Sequence, residues 1–149
     1  MQKYRKNILV FVVLCSIGIV AYSYYNKLLE PRPIVHPGQY HIWKIEFYNK
    51  ASKEVLQIEE YDELTILKIL EGAYEQWTPL NYSGFKGYEF EKVSLCITLY
   101  HGSEGAKLIY LGDENGYSIE TLHNDKFRII EPSVLLEKLL SAINLKDAN

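Results

Sequence analysis

Cysteine is scarce in this chain, and the scarcity excludes whole classes of chemistry. Among 149 residues only Cys15 and Cys96 occur, and Cys15 lies inside an uncharged apolar run. Cys96 therefore has no partner in the remainder, no disulfide can staple that part, and the body must stand on its core alone. Four-cysteine zinc sites and CxxC redox pairs fail by count. Three sequence motifs are also missing: the phosphate-cradling GxxxxGK[ST] loop, the GxGxxG fingerprint and the GxSxG nucleophile elbow. So is any excess of positive charge. Of the 16 Lys and Arg, three (Lys3, Arg5, Lys6) precede the apolar run, which leaves 13 against 19 Asp and Glu and a net charge of −6 for residues 26–149. A nucleic-acid surface needs clustered cations to displace phosphate counterions, and an anionic leaflet also attracts cations. Neither suits this body.

What the chain does have is a greasy start. Ile8–Tyr25, ILVFVVLCSIGIVAYSYY, holds no charged residue over eighteen positions. A helix rising about 1.5 Å per residue needs roughly 17–25 residues to cross a bilayer core. Tyr4 on one side and Tyr22, Tyr24 and Tyr25 on the other sit where interfacial aromatics gather. Lys3, Arg5 and Lys6 outnumber Lys27 and Arg32, so the positive-inside rule keeps the head in the cytoplasm. The expected layout is a cytoplasmic head and transmembrane signal-anchor over 1–25, a Pro-rich linker over 26–38, and an extracytoplasmic domain over 39–149. The alternative is a cleaved secretory signal, with Ile8–Ala21 as its apolar region, Ala21-Tyr22-Ser23 as the cut, and a secreted product. A lipoprotein is excluded, because bulky Leu14 precedes Cys15.

Residues 26–149 amount to one domain's worth of chain. Pro31, Pro33 and Pro37 remove backbone donors and favour an extended, stiff spacer. Tyr40–Tyr48 alternates, with His41, Trp43, Ile45 and Phe47 as the more apolar, inward set. Asn49-Lys50-Ala51-Ser52 turns the chain, and Lys53–Glu59 returns to complete a β-hairpin, Leu56 and Ile58 inward. Asp62 is a good N-cap for a helix running to Thr78-Pro79, whose stripe is Leu67, Leu70, Tyr74 and Trp77. Glu59, Glu60, Asp62 and Glu63 cluster there for the same reason, since a helix N-terminus favours negative charge. From Lys92 a four-stranded meander follows. Val93, Leu95, Ile97 and Leu99 take one face, turns fall at 101–105, 113–116 (an Asn-Gly hairpin signal) and 123–126, and Phe127–Ile130 closes it. Pro132 and Ser133 open a last helix to about Asn144, with Leu135, Leu136, Leu139, Leu140 and Ile143 inward. The predicted fold is α+β: a mainly antiparallel sheet built from a hairpin and a four-stranded meander, with two helices on one face.

Candidate chemistry is thin. His36, His41, His101 and His123 match no ligand spacing, so no metal is expected. Asp113-Glu114-Asn115-Gly116 starts like a calcium loop, but Asn124 stands where the closing glutamate belongs. Cys96 falls mid-strand and reads as packed. No catalytic residue and no cofactor are expected. Tyrosine is abundant, thirteen against five phenylalanines, as suits half-buried strands with wet hydroxyls. Leu80–Glu91, LNYSGFKGYEFE, mixes aromatics with glycines and follows Trp77 closely, which makes Trp77, Tyr82, Phe85 and Tyr88 the expected ligand-binding residues. The expected function is a non-catalytic binding or accessory module, anchored in the membrane through residues 8–25. It would contact a protein, peptide or envelope partner and no nucleic acid. Two alternatives use the same compartment: an immunity or stress-protection protein against a membrane-active peptide, and a small envelope hydrolase using Glu or His side chains.

Overall fold

The computed structural model describes residues 2–50, 52–78, 93–102, 105–123 and 125–143, with the side chains of 2–7, 9 and 27 outside that description. The chain divides into two units, Met1–Glu30 and Pro31–Asn149. The first is a single helix, α1 (Gln2–Leu29), of 28 residues and so about 42 Å long. Ile8, Phe11, Leu14, Ile17 and Val20 are among its exposed apolar side chains. Among the described residues no helix is long and apolar enough to cross a membrane. The expected transmembrane span over 8–25 therefore finds no support there, and it includes Leu9, whose side chain lies outside the description.

The second unit is α+β, as the alternation and helical periodicity predict. Its strands are β1 (Arg32–Pro33), β2 (His41–Asn49), β3 (Glu54–Ile58), β4 (Tyr74–Trp77), β5 (Leu95–Tyr100), β6 (Ala106–Leu111), β7 (Gly116–Glu120) and β8 (Asp125–Ile129); its helices are α2 (Glu63–Glu71) and α3 (Pro132–Ala142). The strands form one sheet in the order β1-β4-β8-β7-β6-β5-β2-β3, antiparallel at every pairing described. The hairpin β2–β3 and the meander β5–β8 stand as expected. Leu95, Ile97 and Leu99 bury the helix-side face together with Ile109, Leu111 and Ile129. Ile66 and Leu70 of α2 and Leu135, Leu136 and Leu139 of α3 close over them. On the opposite face Tyr48, Val93, Cys96, Tyr110 and Tyr117 form a smaller buried cluster, with the rings of Tyr110 and Tyr117 stacked 4.7 Å apart; Val93, expected beside Leu95, Ile97 and Leu99, precedes β5 and packs on this other side instead. Cys96 is packed, as its mid-strand place predicts.

Three local expectations are corrected. The first concerns the helix that starts at Asp62. Its carboxylate accepts from the Leu64 amide at 3.1 Å and the Thr65 hydroxyl at 2.6 Å, as an N-cap should. The helix then stops at Glu71 and Gly72 is its C-cap. Tyr74–Trp77 is instead a strand, because β8 offers a ladder to pair with: Trp77 lies opposite Phe127 and Glu75 opposite Ile129.

The second correction is a bulge in β2. The register shifts between Ile42 and Lys44, which inserts an extra residue and reverses the alternation. Ile42 and Ile45 consequently both face the core, and Trp43, expected inside, is 73% exposed. In β3 the register loses its meaning too: Val55 and Leu56 are both exposed at the sheet edge, and only Ile58 packs on the core.

The third concerns the expected linker. α1 runs on to Leu29, and Arg32–Pro33 is already paired in the sheet. Ile34 and Val35 are fully buried. Because β1 lies on one edge and β2 near the other, residues 34–40 must cross the sheet. They do so on the helix side, as a strap whose apolar start is core.

Candidate functional site

The strap crosses a polar seam in the apolar face. Lys107 shares a face with Ile109 and Leu111, and Glu75 lies opposite core Ile129; they are 2% and 0% exposed. Burying either charge alone costs several kcal/mol in effective terms, so each needs partners. Lys107 Nζ donates to Glu75 Oε1 at 2.6 Å and to the Ile34 carbonyl at 2.6 Å. Arg32 Nε donates to the same Glu75 oxygen at 2.9 Å, and the Ser118 hydroxyl donates to Oε2 at 2.5 Å. The outer nitrogen of Arg32 pairs with Glu120. The Arg32 guanidinium also lies 3.8 Å above the centroid of the Phe127 ring, a geometry that adds cation–π attraction. Two cations meet two carboxylates, and the seam is neutral.

Its first role is mechanical. The Ile34 carbonyl is held by Lys107 and the Ile34 amide by the Ala73 carbonyl at 3.0 Å. The strap is thus tied to β6 on one side and to the α2–β4 connection on the other. Ser118, Glu75 and Lys107 in contact have the look of an activated hydroxyl, but Ser118 and Glu75 are both fully buried. No substrate reaches that hydroxyl in this arrangement.

Beside the seam lies a cavity of about 160 Å³ at the ends of β5, β6 and β7, lined by Tyr40, His101, Lys107, Glu120, Leu122 and His123, with Gly105 and Ala106 completing its wall. The Tyr40 and His101 rings sit 5.2 Å apart, strap against strand end. Gly105 turns the chain there at φ +94°, and a Cβ on it would meet the Thr121 hydroxyl at 3.1 Å. That hydroxyl accepts from the Ala106 amide at 2.9 Å, so glycine is needed for both reasons. Lys107 Nζ also lies 3.6 Å from a Glu120 oxygen, beyond hydrogen-bond reach, and 5.6 Å from the centroid of the Phe127 ring.

Of the residues expected to bind a ligand, Trp77 is half-buried in β4 opposite Phe127. Tyr82, Phe85 and Tyr88 lie outside the described residues. His101 and His123, which the sequence offers as unrelated turn histidines, come together at the cavity, while His36 and His41 lie elsewhere: His36 in the strap, and His41 at the start of β2 with its Nδ1 3.4 Å from Glu63. Among the described residues no group of three or more His, Cys, Asp or Glu side chains could hold a metal ion. The acidic cluster at 59–63 caps α2 and ties it to β2, where Glu63 accepts from the Ile42 amide at 2.8 Å. Neighbouring Tyr61 has its phenol pushed up by partial burial and by the Glu63 charge.

Comparison of the chain with protein-family models, with curated proteins and with solved structures finds no match.

Proposed function

We propose that this protein is a membrane-tethered binding module: α1 anchors it, and an acidic α+β body is displayed outside the cytoplasm to engage a protein, peptide or envelope partner without catalysis. The observation that carries the reading is α1 itself. A water-facing helix keeps one polar side, whereas a helix apolar all round belongs in a core or in lipid. The uncharged run of eighteen residues from Ile8 to Tyr25 has no such polar side, and its described apolar side chains are exposed in their own unit. Orientation follows from Lys3, Arg5 and Lys6 ahead of the run. The partner-binding residues proposed from sequence are Trp77, Tyr82, Phe85 and Tyr88.

Arginine near the centre of a spanning helix costs about 2.5–3.5 kcal/mol on insertion scales. Val13→Arg with Ile17→Arg is therefore expected to move the protein from the carbonate-resistant membrane fraction to the soluble or degraded fraction. Unchanged membrane retention of the double variant would overturn the anchor. For the partner site, alanine at Tyr82 and Phe85 is expected to lower partner capture per folded molecule. A large drop in stability with capture intact would assign those rings to the core instead.

A further inference from the structure

We infer that β3 is a docking edge for a second copy of this chain: two β3 strands pair antiparallel about a two-fold axis at Leu56 and join two sheets into one. Among the described strands the sheet ends on β1 at one side and on β3 at the other. β1 is only two residues long and includes Pro33, which has no amide to offer a new neighbour. β3 carries neither safeguard. Its sequence EVLQI holds no proline, and its pairing with β2 runs from Glu54 to Ile58 without a bulge. Val55 and Leu56 are 44% and 41% exposed there.

The direction of its backbone groups follows from β2. Tyr48 donates its amide to the Ser94 carbonyl at 2.9 Å, on the side away from β3. Tyr48 and Val55 are therefore a cross-strand pair with no hydrogen bonds between them. Val55 turns its N–H and C=O away from β2, and Gln57, two positions on, does the same. A copy of β3 meets these groups when Val55 and Gln57 face one another or themselves, which places the axis at Val55, Leu56 or Gln57. Charge selects among the three. An axis at Gln57 sets Glu54 against Glu60 at both ends, and like charges directly opposite are destabilising. An axis at Val55 sets charged Glu54 against apolar Leu56. An axis at Leu56 sets Lys53 against Glu59 at both ends and Leu56 against its own copy. Each Val55–Gln57 pair then exchanges both backbone hydrogen bonds. A strand of 5 residues a side is far smaller than the roughly 20–30 of a standard interface, so the dimer is weak and reversible. Every residue in it belongs to the second unit, which makes the inference independent of the membrane reading.

The test is disulfide trapping in the full chain in detergent micelles, with Cys15→Ser removing the exposed native thiol and Cys96 left buried. Single cysteines replace Val55, Leu56 and Gln57 in turn, and Leu64, 71% exposed on α2, serves as the collision control. Opposed residues in a pair without hydrogen bonds have Cα atoms about 4.5 Å apart, within disulfide reach, whereas diagonal neighbours stand about 7–8 Å apart. Leu56→Cys is expected to form the cross-linked dimer about tenfold faster than the other three. Lys53→Glu added to Leu56→Cys should slow it several-fold, and Glu59→Lys on top should restore it, because each end again pairs opposite charges. Amide shifts of Ile45 and Leu139 that match the unmodified chain report that each variant is folded. The inference is overturned if Val55→Cys or Gln57→Cys outpaces Leu56→Cys, or if the charge exchange leaves the Leu56→Cys rate unmoved. It is overturned equally if none of the three exceeds Leu64→Cys, a result that would leave the edge to a strand of different sequence.

Discussion

Glu75 accepts from Lys107, Arg32 and Ser118 at once, so truncating it strands a buried ammonium. Glu75→Leu is expected to cost about 3–5 kcal/mol in denaturant unfolding, as for other broken buried pairs. Lys107→Met leaves Glu75 with Arg32 and Ser118 and should cost less. The double variant should recover part of the loss, because two apolar side chains replace the pair. A double variant no better than Glu75→Leu alone would show that the two charges are not coupled. Asp62 makes a pH-dependent contribution. Hydrogen bonds from Thr65, and then from Leu64, hold its carboxyl below the usual aspartate range. A depressed native value means stability present above the unfolded value, near pH 3.9 for a model aspartate, and lost as pH falls through the native one. Asp62→Ala should therefore lower the thermal midpoint near neutrality, and the gap to the parent protein should close at the acid end. Gly116 is a third sensitive point: an added Cβ would sit 2.7 Å from Pro132 Cβ and 3.2 Å from Ile129 Cβ. Gly116→Ala should cost about 1–3 kcal/mol through overpacking. The role of Glu75 is not legible in sequence, because it reads as a solvent-facing helix residue and its partners lie 32 to 43 positions away.

At the scale of elements, what sequence could and could not announce follows from how local each signal is. The meander declares itself through alternation, which holds from Leu95 to Leu99 though not at Val93, and through the Asn-Gly turn, both readable within ten residues. The N-cap at Asp62 is equally local. β4 is not, since Tyr74 and Trp77 continue the i, i+4, i+7 spacing set by Leu70, and only Gly72 marks the break. The strand exists because β8 needs a neighbour, which is a tertiary fact. The bulge at Trp43 is likewise set by pairing with Thr98 and Leu99, and two-residue β1 is too short for any period. Trp77 was legible as aromatic but not as a strand residue, and the cavity histidines gave no signal, since they come from two separate turns. The helix layer makes a stability prediction of its own. Leu139 is fully buried under α3 and Leu64 is 71% exposed on α2, so Leu139→Ala should cost about 2–5 kcal/mol and Leu64→Ala under about 0.5 kcal/mol.

Across the whole molecule, one sheet carries three layers of dependence. Its helix-side face is sealed by α2, α3 and the strap, and the strap is held by a neutral seam of charges that also bounds the cavity. The body needs no disulfide because this face closes on itself. Its acidity, −6 over residues 26–149 by the same count of Lys and Arg against Asp and Glu, disfavours contact with anionic lipid. The run that precedes it has the opposite character, uncharged for eighteen residues. The central proposal joins these two contrasting parts across a bilayer, and topology tests it most directly. An epitope tag placed after Asn149 on the full chain, in intact cells with the outer barrier removed, should be digested by added protease while a cytoplasmic marker survives. A tag that stays protected until the cells are lysed would contradict the account.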